Sequence, residues 1–182
     1  MSGFELIFSL FGLLLGLALA EGLGGLSRSI KAVPAVRIGW PTVLLGLFAS
    51  CDVVTFWMNG WALREALTLS WPVLFGGFVV TGIYYVATSL IFPDDPDEWR
   101  DLDEFFEKHR RKVVLGIWLC NVVLVVTIVA LAGMPKFDLR TIVITWSFFP
   151  VALGAAFAKS RRITLACLAW LIFLYPLSAV WM

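Results

Sequence analysis

The chain has 182 residues, 60% of them hydrophobic and 15% charged, with a formal net charge of +1. A soluble domain of this length cannot hide so much apolar surface in one core, whereas a bilayer accepts it facing lipid. With a mean hydropathy of +0.91, the composition predicts one all-α integral membrane domain over residues 1–182. It excludes a nucleic-acid partner, for which no basic face exists.

Six transmembrane helices are predicted, at about 4–26, 41–63, 71–92, 113–133, 141–158 and 163–181. Each holds ~18–23 residues, enough at ~1.5 Å per residue to cross a ~30 Å hydrocarbon layer. Ten-residue alternating segments are lacking, which argues against an outer-membrane barrel.

In the first span, Ala18-Leu19-Ala20 resembles a signal-peptidase site. The residues before it carry no Lys or Arg, whereas Arg28, Lys31 and Arg37 follow the span. That order predicts an uncleaved helix inserted with its N-terminus outside. Gly12, Gly16, Ala20 and Gly24 recur every four residues and predict a seam for close helix packing, with a homodimer contact as the second reading. Glu21 lies in the same span, and its i+3 and i+4 neighbours are glycines. A partner must come from another helix, from water or from Arg28 reaching back.

The second span holds Asp52, about twelve residues from Trp40 and therefore ~18 Å deep, near the midplane. An Asp there costs ~2.5–3.5 kcal/mol on insertion scales, so it should face the bundle interior and have partners. Thr55 and Asn59 share its helical face and extend a polar stripe outward. The third span adds Thr81, Tyr84, Tyr85 and Thr88, and the fourth adds Asn121. These groups complete a relay path with Glu21 and Asp52, or else make ordinary interhelical hydrogen bonds.

Between the third and fourth spans, residues 93–112 predict a short cytoplasmic amphipathic helix at about 96–111. Asp95 is its expected N-cap and Pro96 its first residue, with Asp97 and Glu98 beside the positive helix end. Trp99, Leu102, Phe105, Phe106 and His109 share one face, as in a helix lying on a leaflet. Its late basic residues Lys108, Arg110, Arg111 and Lys112 are expected at anionic lipid headgroups. The fifth and sixth spans contain Pro150 and Pro176, where a kink is expected.

Lys and Arg fall unevenly among the loops: eleven lie on the side of Arg28, Arg100 and Lys159, and three (Arg64, Lys136 and Arg140) on the other. This bias predicts that the first side is cytoplasmic and both termini are outside, in a bacterial inner membrane. Trp40 and Trp118 lie near one predicted boundary, and Trp57, Trp61, Trp71, Trp146 and Trp181 near the other, as interfacial indoles do.

The chemistry excluded is more specific than the chemistry present. The single histidine, His109, excludes bis-histidine haem and multi-histidine zinc, and no lysine lies deep in a span. Cys51, Cys120 and Cys167 are dispersed and form no Cys-X-X-Cys pair. Neither a phosphate loop nor a nucleophile elbow is present. No cofactor, metal or catalytic residue is therefore expected, and an intramembrane lipid enzyme lacks a nucleophile. The favoured function is transport of a proton, a cation or a small solute with Asp52 as the central acid. The alternative is a non-transporting scaffold, sensor or assembly subunit.

Overall fold

The structure, a computed structural model, describes residues 3–32, 36–99 and 101–181. Six helices are long and apolar enough to cross a membrane: α1 (Gly3–Lys31), α2 (Trp40–Ala62), α3 (Trp71–Ser89), α4 (Leu102–Ala132), α5 (Leu139–Phe157) and α6 (Arg161–Val180). The all-α fold and six membrane-length apolar helices match the sequence expectation and are consistent with a multi-pass membrane protein. Leu13, Val86, Val126 and Phe173 on the outer surface are exposed, whereas Leu45, Phe48, Tyr84, Ile117, Leu168 and Leu171 fill the centre. Apolar residues thus lie both inside and outside, as a helix bundle in hydrocarbon requires.

Helix boundaries depart from expectation mainly at the end of the bundle rich in Lys and Arg, here called the basic end. α1 runs on through Arg28 to Lys31, which places two cations in its last turn, where the helix dipole favours them. The segment read as a separate amphipathic helix is divided differently. Pro96–Glu98 form one 3-10 turn, closed by the Trp99 amide on the Pro96 carbonyl at 3.0 Å. A new helix then starts at Leu102 and continues unbroken into the fourth crossing. Its N-cap is Asp101 rather than Asp95, and the Asp101 side chain accepts from the Asp103 amide at 2.9 Å. No breaker separates Leu102 from the apolar span, so one helix is formed where two were expected. Arg100, counted among the basic loop residues, lies outside the described residues.

The apolar face of this segment is covered by protein. Leu102, Phe105 and Phe106 are buried. The Leu102 amide donates to the Arg37 carbonyl at 3.0 Å, and the Thr42 hydroxyl donates to the Leu102 carbonyl at 3.3 Å. Asp103 pairs with Arg161 at 2.6 Å. Its carboxylate lies so close to Gly39, at the N-terminus of α2, that a Cβ at that position would collide with it. Arg110, expected at headgroups, is also buried. It donates to the Thr164 hydroxyl at 2.7 Å and to the Ala158 carbonyl at 2.6 Å, tying the end of α5 to the first turn of α6. An orphan carbonyl at a helix end is satisfied by such a donor. Lys108, Arg111 and Lys112 remain exposed.

The glycine seam of α1 is not where the helix packs most tightly. An added Cβ at Gly16 meets nothing within 4 Å, Ala20 is exposed, and Gly24 faces only Arg28 of its own helix, although Gly12 does lie against Trp57. The buried face instead carries Ile7, Leu15, Ala18, Gly22, Gly25 and Ser29. Close approach occurs at Gly25, where a Cβ would stand 2.6 Å from that of Phe92, and at Gly77 of α3, which is covered by the Phe11 ring. Large aromatic side chains therefore occupy the space the glycines leave, and the four-residue spacing is not the packing period.

α5 contains a π-type turn over Ile142–Trp146, with the Ser147 amide on the Ile142 carbonyl at 2.9 Å. Pro150, which has no amide to offer the Trp146 carbonyl, follows this shift in the ladder. Pro176 lies inside α6, which nevertheless continues to Val180. At the far end, Asp138 caps α5 by accepting from the Thr141 amide at 2.8 Å, and this bond holds its exposed carboxyl below the usual carboxylate range.

The packing predicts opposite outcomes for two glycines. Gly77→Leu drives a side chain into Phe11 and should lower unfolding free energy by ~1–3 kcal/mol, whereas Gly16→Leu should be near neutral. Thermal denaturation of both variants in detergent or nanodiscs checks the contrast.

Candidate functional site

Asp52 lies on the inner face of α2 with 3% of its surface exposed. Three other helices converge on its carboxylate. Tyr84 of α3 donates to Oδ2 at 2.6 Å, Asn121 of α4 donates to Oδ2 at 2.9 Å, and Tyr175 of α6 donates to Oδ1 at 2.8 Å. Asn121 also donates to the Tyr84 oxygen at 3.4 Å. The partners are neutral hydroxyls and an amide. Among the described residues Asp52 forms no ion pair, since the salt bridges lie elsewhere.

Local sequence explains how the cluster forms. Tyr84 is fully buried, and its ring packs edge-on against Phe56 at 5.0 Å between centroids. Asn121 also donates to the Ile117 carbonyl one turn back, which orients its amide. Cys120, beside it, is buried and donates its thiol to the Val80 carbonyl at 3.4 Å, bringing α4 and α3 together. Each aromatic residue thus supplies apolar contact along its ring and a single polar atom at the centre.

The other predicted relay residues are not part of the cluster. Thr55 donates to the Cys51 carbonyl at 2.9 Å and Asn59 to the Thr55 carbonyl at 2.9 Å, so both turn back on their own helix. Tyr85 is 40% exposed on the outer surface. Glu21 pairs with Arg28 at 3.1 Å, the reach-back that its sequence position allowed. It does not join Asp52. Conversely, Tyr175 was not singled out from the sequence, where its neighbour Pro176 drew attention as a kink. Its depth offered a signal: it stands fourteen residues from Arg161, as Asp52 stands twelve from Trp40, and both count from the basic end.

A cavity of about 330 Å³ adjoins the cluster on the side away from the basic end. It begins at Phe56, Val80 and Leu124, which stand one helical turn from Asp52, Tyr84 and Asn121 respectively, and it continues to Leu63, Leu67 and Pro72 at the α2–α3 connection. Gly60 and Gly76 face open space here, since an added Cβ at either meets nothing within 4 Å. The walls are apolar apart from Thr81 and Thr127, whose hydroxyls bond backbone carbonyls. Phe56, which lines this space, packs its ring against Tyr84 of the cluster. Among the described residues no group of three His, Cys, Asp or Glu is placed to hold a metal.

No family model, curated protein or solved structure matches the chain.

Removing one donor at a time tests the cluster as a tie between helices. Tyr84→Phe and Tyr175→Phe should each lower stability by ~0.6 kcal/mol, the average for an interhelical hydrogen bond in a membrane. Asp52→Leu, which leaves all three donors without their common acceptor, should cost more than their sum. Denaturation in mixed micelles measures all three variants.

Proposed function

We propose that this chain is a small inner-membrane transporter of a proton or small solute, with Asp52 as its central acid. The cavity, which runs from one end of the bundle to within one turn of that carboxyl, is the observation that carries the reading. A carboxylate has about four acceptor positions, and Tyr84, Asn121 and Tyr175 take three of them. A proton or one donor group on a solute completes the set once Phe56 moves aside. The apolar walls favour a small solute with an apolar surface over a hydrated cation, which they cannot solvate. The four helices that meet at Asp52 then open and close around it, as alternating access requires.

The charge bias of the loops supports an orientation with the basic end in the cytoplasm of a bacterial cell and the cavity facing outward. Cysteines placed at Lys136 and Lys159 test this. A membrane-impermeant maleimide should label the first and not the second in intact cells.

The competing reading, a non-transporting assembly subunit, is favoured by one feature: the cluster is closed and already joins four helices. Proteoliposomes with an entrapped pH-sensitive dye separate the two readings, assayed with and without a panel of small apolar amines. Wild type should dissipate an imposed pH gradient with at least one condition of the panel, and Asp52→Asn should slow this by at least tenfold, ~1.4 kcal/mol in the barrier. If wild type matches empty vesicles throughout, the assembly reading stands. If both proteins are equally active, Asp52 is only a tie between helices.

A further inference from the structure

A second cavity lies on the outer surface, away from the Asp52 cluster. It is a groove of about 490 Å³ between α3 and α4, lined by Phe78, Gly82, Val86 and Leu90 on one side and by Gly116 and Lys112 on the other. We propose that this groove is a binding site for one anionic membrane phospholipid, with an acyl chain along α3 and the phosphate at the Lys112 amine.

Length, composition and charge each point to that occupant. From Phe78 to Leu90, the cap of α3, the groove rises by twelve residues, ~18 Å, long enough to span one leaflet, half of a ~30 Å hydrocarbon layer. Its walls are apolar and outward-facing, with Phe78 49% and Val86 55% exposed. The glycines make the channel: an added Cβ at Gly82 meets nothing within 4 Å, and Gly116 brings α4 to within van der Waals reach of Ile83 and Ala87. A linear chain fits such a slot better than a folded ring system does.

Among the described residues lining the groove, Lys112 is the one that carries a charge, at the end nearest the basic loops. It is exposed, and among the described residues it forms no ion pair. Its basic neighbours are engaged otherwise: Lys108 lies over the Trp99 ring, Arg111 over the Phe157 ring, and Arg110 is buried. The carbonyl terminus of α3, at Leu90, lies at the same end and disfavours a phosphate. Lys112 therefore decides the preference for an anionic headgroup, while Gly82 decides whether the chain enters.

Native mass spectrometry of the purified full chain, titrated with phosphatidylglycerol and phosphatidylcholine of equal chain length, tests both roles. Wild type should retain one phosphatidylglycerol about fivefold more tightly than phosphatidylcholine, the worth of one Lys at an anionic surface. Lys112→Gln should bind the two lipids equally, and Lys112→Arg should restore the preference. Gly82→Leu should reduce retention of both lipids; because its side chain extends into open space, the fold is expected to survive, and the thermal midpoint confirms it. Equal retention of the two lipids by wild type overturns the proposal. So does an undiminished preference in Lys112→Gln, or unchanged retention in Gly82→Leu. A dimer that Gly82→Leu dissociates would also overturn it, by showing that a second copy of the chain fills the groove.

Discussion

The structure depends on one carboxylate held away from water by three neutral donors from three other helices. Asp52 belongs to α2, and Tyr84, Asn121 and Tyr175 bring α3, α4 and α6 to the same point. In hydrocarbon, apolar side chains supply no preference for protein over lipid, so packing and hydrogen bonds decide which helix faces meet. A buried acid is expensive at this depth, and its cost falls only if those faces come together. The cluster thus selects one arrangement among the many that six apolar helices could adopt.

The same centre is placed for chemistry as well as for architecture. Its partners are uncharged, so no internal cation competes with a proton or solute for its oxygens. The cavity reaches Phe56, whose ring packs on Tyr84 of the cluster, and comes within one helical turn of Asp52. A tie that served only stability would need no adjoining cavity. This juxtaposition gives the transport reading its physical content.

At the basic end a different set of interactions does the positioning. Asp101 and Asp103 anchor the start of α4 against Arg37, Gly39 and Arg161, and Arg110 joins the end of α5 to the start of α6. Charges that look like a solvated loop in the sequence are in part interior struts. The amphipathic pattern of residues 99–109 was real, but it matched a protein surface as well as it would match a leaflet. Periodicity reports that one face is apolar and not what covers it.

The sequence by itself determined the number of membrane-length apolar helices, their approximate limits and the isolation of Asp52 among apolar residues, because length and hydropathy are local properties of the chain. It also placed Tyr84 and Asn121 among the candidate partners. Only the tertiary structure decided that Thr55 and Asn59 turn back on their own helix and that Tyr85 faces outward. It likewise brought in Tyr175 from 123 residues away and paired Glu21 with Arg28. The physical reason is rotation about the helix axis. A sequence gives the depth of each polar group, whereas the direction it faces is set by neighbours such as Phe11 on Gly77 and Phe92 on Gly25, which no one-dimensional pattern records.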